Sequence, residues 1–202
     1  MKNVSNGKFG VKLEKVNVNN FSRVFAYLID WYIATMISSI PIVFITSAVN
    51  HTTNITMDLS KLPKEWGIVA AILAIIFYLG YYFVLELKVY KGQTFGKRIM
   101  KLKVVQDDGS DVDFKSIFMR EAVGVMLIEG YIGNSSSYVR QLAQMFVNFN
   151  IMDMAVYIFG IISVISVLLG AASASRKMIH DRVAHTHLIS TKEEDIKDCK
   201  TF

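Results

Sequence analysis

Long apolar runs alternate with polar, mostly basic segments along this chain, and four of those runs carry the pattern of membrane helices. The first, residues 21–49, covers 29 positions. At about 1.5 Å per residue it exceeds the ~30 Å hydrocarbon core of a bilayer, so its ends are interfacial or it tilts. Pro41 removes one backbone hydrogen bond and predicts a kink in the outer half. Residues 66–86 are the cleanest run, opening on Trp66 and closing on Tyr81 and Tyr82, as an aromatic belt at two interfaces requires. Residues 151–172 carry no charge after Asp153. Residues 116–133 are the weakest, with Arg120, Glu121 and Glu129 around an apolar core of residues 122–128, which fits a short, tilted or re-entrant helix.

The pattern predicts an all-α membrane protein of four transmembrane helices, the third short, with a small cytoplasmic β element. Residues 1–20 form a cytoplasmic N-terminal segment, 21–190 the transmembrane domain with a cytoplasmic loop at 87–115, and 191–202 a polar tail. Within the loop, Leu102, Val104 and Val105 have strand propensity and Asp107-Asp108-Gly109 is a turn; residues 186–191 offer a second strand. The two strands are expected to pair beneath the membrane. On the other side, Tyr138, Leu142, Met145, Phe146 and Phe149 fall at helical spacing within 137–150, which reads as an amphipathic helix on the outer surface or as a plain loop.

Charge sets the orientation. With four spans, 19 of the 22 Lys and Arg residues fall on one side and only Lys61, Lys64 and Arg140 on the other, which places both termini in the cytoplasm of a multi-pass cell-membrane protein. Polar residues precede the first run and no small-residue cleavage site follows a short apolar core, so the first helix is expected to stay as a signal anchor.

Composition agrees with the bilayer as principal partner: 52% of residues are hydrophobic, 19% charged, and two are proline. The net charge of +5 is spread between apolar runs instead of forming one patch, which argues against nucleic acid. A single cysteine, Cys199, excludes an internal disulfide and a thiol pair. Gly92 to Arg98 superficially resembles a phosphate loop, but three residues separate the glycines where four are needed and no Ser or Thr follows the lysine. Thr94 is better placed as a helix cap, with Lys97 and Arg98 against anionic headgroups at the inner surface. His180, His185 and His187 lack the spacing of a metal site and more simply dock the tail, with Asp181 facing a basic group such as Arg23 or Arg98. No catalytic constellation is present, so neither enzymatic function nor a cofactor or metal is expected.

Candidate chemistry therefore rests on charges within the spans. Arg23 and Asp30 are seven residues apart, nearly two turns, and share one helix face. Asp30 lies about 10 Å deeper than Arg23, where a charge is costly unless paired, hydrated or protonated. It is either a proton or cation site or the structural anchor of a buried polar network. Glu121 and Glu129 share a side of the third helix and Asp153 begins the fourth. They form a polar path with Asp30, or else Glu121 and Glu129 mark the wet ends of a short span.

Three segments taken together resemble the RDD family of small multi-pass bacterial membrane proteins: residues 21–30, containing Arg23 and Asp30; the stretch from Gly92 to Arg98 leading into Leu102-Lys103-Val104-Val105; and His180-Asp181-Arg182-Val183-Ala184 with Thr186. The family is named for one arginine and two aspartates. The resemblance assigns the first two roles to Arg23 and Asp30 and the third to Asp181. His185 departs from it, standing where the family usually carries glycine. The resemblance implies a multi-pass membrane protein, and cation and proton exchange is an activity associated with some members. Two functions follow: a small cation/proton transporter acting as a homo-oligomer through a buried carboxylate, or an accessory or scaffold subunit of another membrane complex.

Overall fold

A computed structural model of the chain describes residues 18–50, 56–128, 134–147, 149–172 and 177–192. It is mostly helical, with two long apolar helices and one small sheet. Helix α1, Asn20–Asn50, opens where the Asn19 side chain accepts the Phe21 N–H at 3.0 Å. Pro41 lies inside α1 without ending it. Its buried side recurs at every fourth residue: Ser22, Ala26, Asp30, Ala34, Ser38, Ile42 and Thr46. All but Ile42 and Asp30 are small or short-chained, so a neighbouring backbone can approach closely. Phe21, Phe25, Leu28, Tyr32, Met36 and Phe44 face outward, uncovered.

The neighbour is α2, Lys64–Phe83, which presents Gly67, Ala70, Ala71 and Ala74. Its helix continues as a π-helical stretch over Val84–Val89, past the predicted end at residue 86. Asn20–Asn50 and Lys64–Val89 are each long and apolar enough to cross a membrane.

Between these two and the sheet lies α3, Phe95–Ile99, packed on α1. Strand β1, Leu102–Gln106, follows directly. Helix α4, Phe114–Ile117, starts at a reciprocal cap in which Asp113 accepts the Ser116 N–H at 2.8 Å and the Ser116 hydroxyl accepts the Asp113 N–H at 3.0 Å. It runs into a second π-helical stretch, Phe118–Ile128. This is the start of the segment predicted as the third span; its end at 129–133 lies outside the described residues. Phe83 stacks on Phe114 with ring centres 5.0 Å apart, joining the end of α2 to α4.

Helix α5, Asn134–Gln144, places a helix over the first part of 137–150. Tyr138, Leu142 and Met145 pack against Leu59, Leu62, Ala70 and Ala71 and close the end of the α1–α2 pair remote from the sheet, while Phe146 is exposed. Gln141 accepts the Leu59 N–H at 2.7 Å, fixing the short 3-10 turn Leu59–Lys61 beneath it. Helix α6, Phe149–Ala172, holds an apolar stretch at Tyr157–Gly170, most of whose side chains are uncovered. Ser166 accepts the Ile179 N–H at 2.9 Å, tying α6 to α7, Ile179–Val183.

Strand β2, Thr186–Ser190, pairs antiparallel with β1, with Val104 opposite Leu188. The expected pairing is therefore present. The expected turn follows β1, with Gly109 at φ +82. Val104, Val112 and Ile117 are buried together, with Leu188, Phe83 and Leu87 packed against them, so the sheet seals the end of the helical pair.

Two measurements check this layer. Val104→Cys with Leu188→Cys, in a chain whose Cys199 is replaced by serine, should form a disulfide under mild oxidation, because directly opposed strand positions bring their Cβ atoms to about 4.5–5.5 Å. No cross-link would mean a different register. His185 sits at φ +51, in the left-handed region that favours glycine. His185→Gly should raise stability by roughly 1 kcal/mol, seen as a higher thermal midpoint.

Candidate functional site

The charged side chains that sequence placed in separate helices converge at the sheet end of the α1–α2 pair. Asp30, 3% exposed, is held by neutral donors. Its Oδ1 accepts the Tyr81 hydroxyl at 2.7 Å and the Gly96 N–H at 2.8 Å, and its Oδ2 accepts the Thr94 hydroxyl. Thr94 is also the N-cap of α3, accepting the Lys97 N–H at 3.4 Å. One carboxylate thus joins α1 to α2 and positions the start of α3. The contact depends on glycine: a Cβ on Gly96 would come within 2.3 Å of the Ala26 carbonyl oxygen and 2.9 Å of the Asp30 carboxyl.

With α3 pressed onto α1, its first turn carries Lys97 inward. This corrects the headgroup expectation for Lys97, which is buried and donates to Glu86 Oε1, with Glu121 Oε1 3.9 Å away and the Tyr82 ring centre at 5.8 Å. Arg98, the next residue, stays exposed and stacks on Tyr90 at 4.2 Å. Glu86, on the π-helical end of α2, is completely buried. Its Oε2 has no hydrogen-bond partner among the described residues.

The second half of the network centres on Arg120 and Asp181. Arg120 donates through Nη1 to Asp181 Oδ1 and, at 3.2 Å, to the Thr186 hydroxyl; its Nε lies 3.3 Å from Glu121 Oε1. His180 Nε2 is 3.2 Å from Arg120 Nη2 and 3.4 Å from Asp181. Arg23 reaches Asp181 Oδ2 at 3.4 Å, and the Met178 N–H donates to the same oxygen at 3.1 Å. Burial alone would push the Asp181 carboxyl up, but Arg120, His180, Arg23 and the Met178 N–H hold it well below the ordinary carboxylate value. A Cβ on Gly124 would lie 2.5 Å from the His180 Cβ, so the second π-helical stretch and α7 are also in close contact.

Among the described residues, four buried carboxylates (Asp30, Glu86, Glu121 and Asp181) meet three Lys and Arg side chains (Arg23, Lys97 and Arg120). Carboxylates thus outnumber the Lys and Arg side chains by one, with His180 in contact with Arg120 and Asp181. Arg23 and Asp30 do share the inner side of α1, but they serve different partners: Arg23 reaches Asp181, as expected for the tail, and Asp30 holds α2 and α3. Glu121 is 3% exposed, so it is not at a wet end of its helix. Glu129 and the side chain of Asp153 lie outside the described residues, and the polar path drawn through them lies there too.

Sequence reasoning missed Glu86 as a site residue. Its signal was an acidic residue closing the cleanest apolar run, four residues beyond the aromatic pair. Tyr81 was read only as an interfacial anchor, and Gly96 only as part of a turn. Arg120 was counted as a topology charge, although its guanidinium is the hub of the second half.

The architecture defines a class: a helical protein with two apolar helices long enough to cross a membrane, in which an arginine and two aspartates from both ends of the sequence fasten the helices at the sheet end. The chain belongs to the RDD family, whose family model matches residues 18–185. Neither curated proteins nor solved structures gave a match.

The Asp181 clamp makes a prediction with a definite sign. Its carboxyl is held below the unfolded value of about 4, so its contribution is fully present above that pH and is lost as pH falls through about 4 toward the folded value. Asp181→Asn leaves Arg23 and Arg120 without this counter-charge and should cost on the order of 3–5 kcal/mol. Thermal melts in detergent should show the wild type losing stability on acidification while Asp181→Asn starts lower and loses less.

Proposed function

We propose that this RDD-family chain is a four-span membrane protein with both termini in the cytoplasm, exchanging a cation for a proton through the buried charge network. The spans are α1, α2 with its π-helical end, the α4 segment with its continuation, and α6. The sheet faces the cytoplasm, where 19 of the 22 Lys and Arg residues then fall. The observation that carries the exchange reading is the buried network itself: among the described residues four carboxylates meet three Lys and Arg side chains and His180, enclosed among apolar helices. Ionised groups in such surroundings are expensive and concentrate on ion and proton pathways. A network in which carboxylates outnumber Lys and Arg side chains offers places where a proton and a monovalent cation can replace one another.

Asp30 supports that role by holding α3, and so Lys97, inside the network. A different observation favours the accessory reading: α6 leaves Tyr157, Ile161, Val164, Val167 and Leu168 uncovered along its length. That surface suits lipid and also suits a second membrane protein.

The test is a flux measurement on purified protein in vesicles loaded with a pH-sensitive dye, pulsed with sodium, potassium or lithium chloride. The wild type is expected to move protons against at least one of these cations. Asp30→Asn should slow the movement by about tenfold or more, while Asp111→Asn, in an exposed pair with Lys103, should not. Absence of flux in the wild type, together with a stoichiometric partner on purification, would discard exchange in favour of the accessory role.

A further inference from the structure

Not every cation at the sheet end is drawn into the buried network. Residues 87–106 hold six Lys and Arg and no Asp or Glu. Lys97 is taken by Glu86, and Lys103 by Asp111 at 2.6 Å. Arg98 and Lys101 are exposed and make no ion pair among the described residues. The turn that carries them keeps them outward. Gly96 and Lys97 are buried, and the Gly96 N–H donates to Asp30 at 2.8 Å. Phe95, Arg98 and Ile99, at i, i+3 and i+4, form the opposite side of α3 and are uncovered. Arg98 lies over the Tyr90 ring at 4.2 Å, which steadies the guanidinium without using its N–H donors. The Lys101 N–H donates to the Arg98 carbonyl at 3.1 Å, so a second cation leaves the same turn. Lys101 has φ +55, a conformation that favours glycine, yet a lysine stands there.

The depth of α3 decides what meets that side. Gly96 lies against the carbonyl of Ala26, which at about 1.5 Å per residue is roughly 9 Å along α1 from its start at Asn20. Near that level α1 leaves Phe21, Phe25 and Leu28 uncovered. An exposed Phe and Ile beside exposed cations match the boundary between acyl chains and headgroups. Water would suit Arg98 and leave Phe95 and Ile99 unburied, and hydrocarbon would do the reverse. The interface meets both demands.

We propose that the outer side of α3 binds an anionic phospholipid of the inner leaflet, with Arg98 and Lys101 holding the headgroup phosphate and Phe95 and Ile99 receiving the upper part of an acyl chain. Charge selects this occupant. A guanidinium offers two parallel N–H bonds to phosphate oxygens, and the neighbouring ammonium adds a second positive charge. A zwitterionic lipid brings an ammonium of its own to a stretch without acidic residues, which repels it. The inference uses the orientation proposed above, with the sheet end at the cytoplasm, and does not use ion exchange. Because the same short helix meets lipid on one side and Asp30 on the other, a bound lipid stabilises the seat of α3 against α1.

The deciding experiment titrates the full chain in a mild neutral detergent with a fluorescent phosphatidylglycerol, using unlabelled phosphatidylglycerol, phosphatidylcholine and inorganic phosphate as competitors. Saturable binding is expected, displaced by phosphatidylglycerol alone and weakened by added sodium chloride. The same lipid should raise the thermal midpoint of the wild type. Arg98→Ala should weaken binding about fivefold, and Arg98→Ala with Lys101→Ala on the order of thirtyfold. Arg98→Lys, which keeps the charge and loses the paired donors, should fall between wild type and Arg98→Ala. Phe95→Ser with Ile99→Ser should also bind more weakly at unchanged charge. Lys61→Ala, which removes an exposed charge at the far end of the α1–α2 pair, should bind like the wild type. All the altered side chains are exposed, and a melt of each variant checks that it folds. Displacement by inorganic phosphate would reveal a bare anion site, and equal binding of phosphatidylcholine a plain acyl groove. Either result, or wild-type binding by the Arg98→Ala, Lys101→Ala protein, would overturn the assignment. Since binding is read in detergent, those results would leave the proposed topology and exchange standing, and absence of ion flux would leave the lipid site standing.

Discussion

A carboxylate enclosed among apolar helices must find hydrogen-bond donors, and that requirement organises this molecule around Asp30. Asp30 is only 3% exposed, and α2 supplies the Tyr81 hydroxyl while the α3 turn supplies Thr94 and the Gly96 amide. The small residues on either side of Asp30 along α1 follow from the same demand. Ala26 and Ala34 let partner backbones come close enough for short side chains and a main-chain amide to reach the carboxylate. A larger side chain at Ala26 or Gly96 would separate donors from acceptor and leave a charge in apolar surroundings.

Asp181 meets the same need by a different solution. It draws on charged donors, Arg23 and Arg120, and on the main chain at the start of α7. Since those donors come from the first helix and from the segment after α4, the end of the domain is fixed to its beginning. The β1–β2 pair then lies directly beneath, with Thr186 of β2 itself contacting Arg120. The sheet and the charged network are therefore one layer, which accounts for so short a β element holding its register without further strands.

Much of this was legible from residue patterns because apolar length, small-residue spacing and β-propensity act locally. The extent of α1, the Thr94 cap and the β1–β2 pairing all follow from such rules. The pairing of charges did not, because it depends on which helix faces which. Lys97 has the flanking sequence of an interfacial lysine; only the close approach of α3 to α1 at Gly96 turns it toward Glu86. Arg23 likewise has an aspartate on its own face, yet an aspartate 158 positions away receives its bond. The amphipathic pattern of α5 left helix and loop open, and an apolar stripe does not state what covers it; here Tyr138 and Leu142 pack on the α1–α2 pair.

The two wide-wound stretches have a mechanical implication of their own. Glu86 lies on one and Arg120 with Glu121 on the other, and each stretch holds an extra residue relative to ordinary helical winding. Rewinding Val84–Val89 to the common pitch would turn the residues of that stretch by up to about 100° relative to α2, the segment between Tyr90 and Gln93 taking up the change. Such a one-residue slip would carry the Glu86 carboxylate to another side of the cylinder without breaking the helix, leaving the aspartate-held turn of α3 where it is.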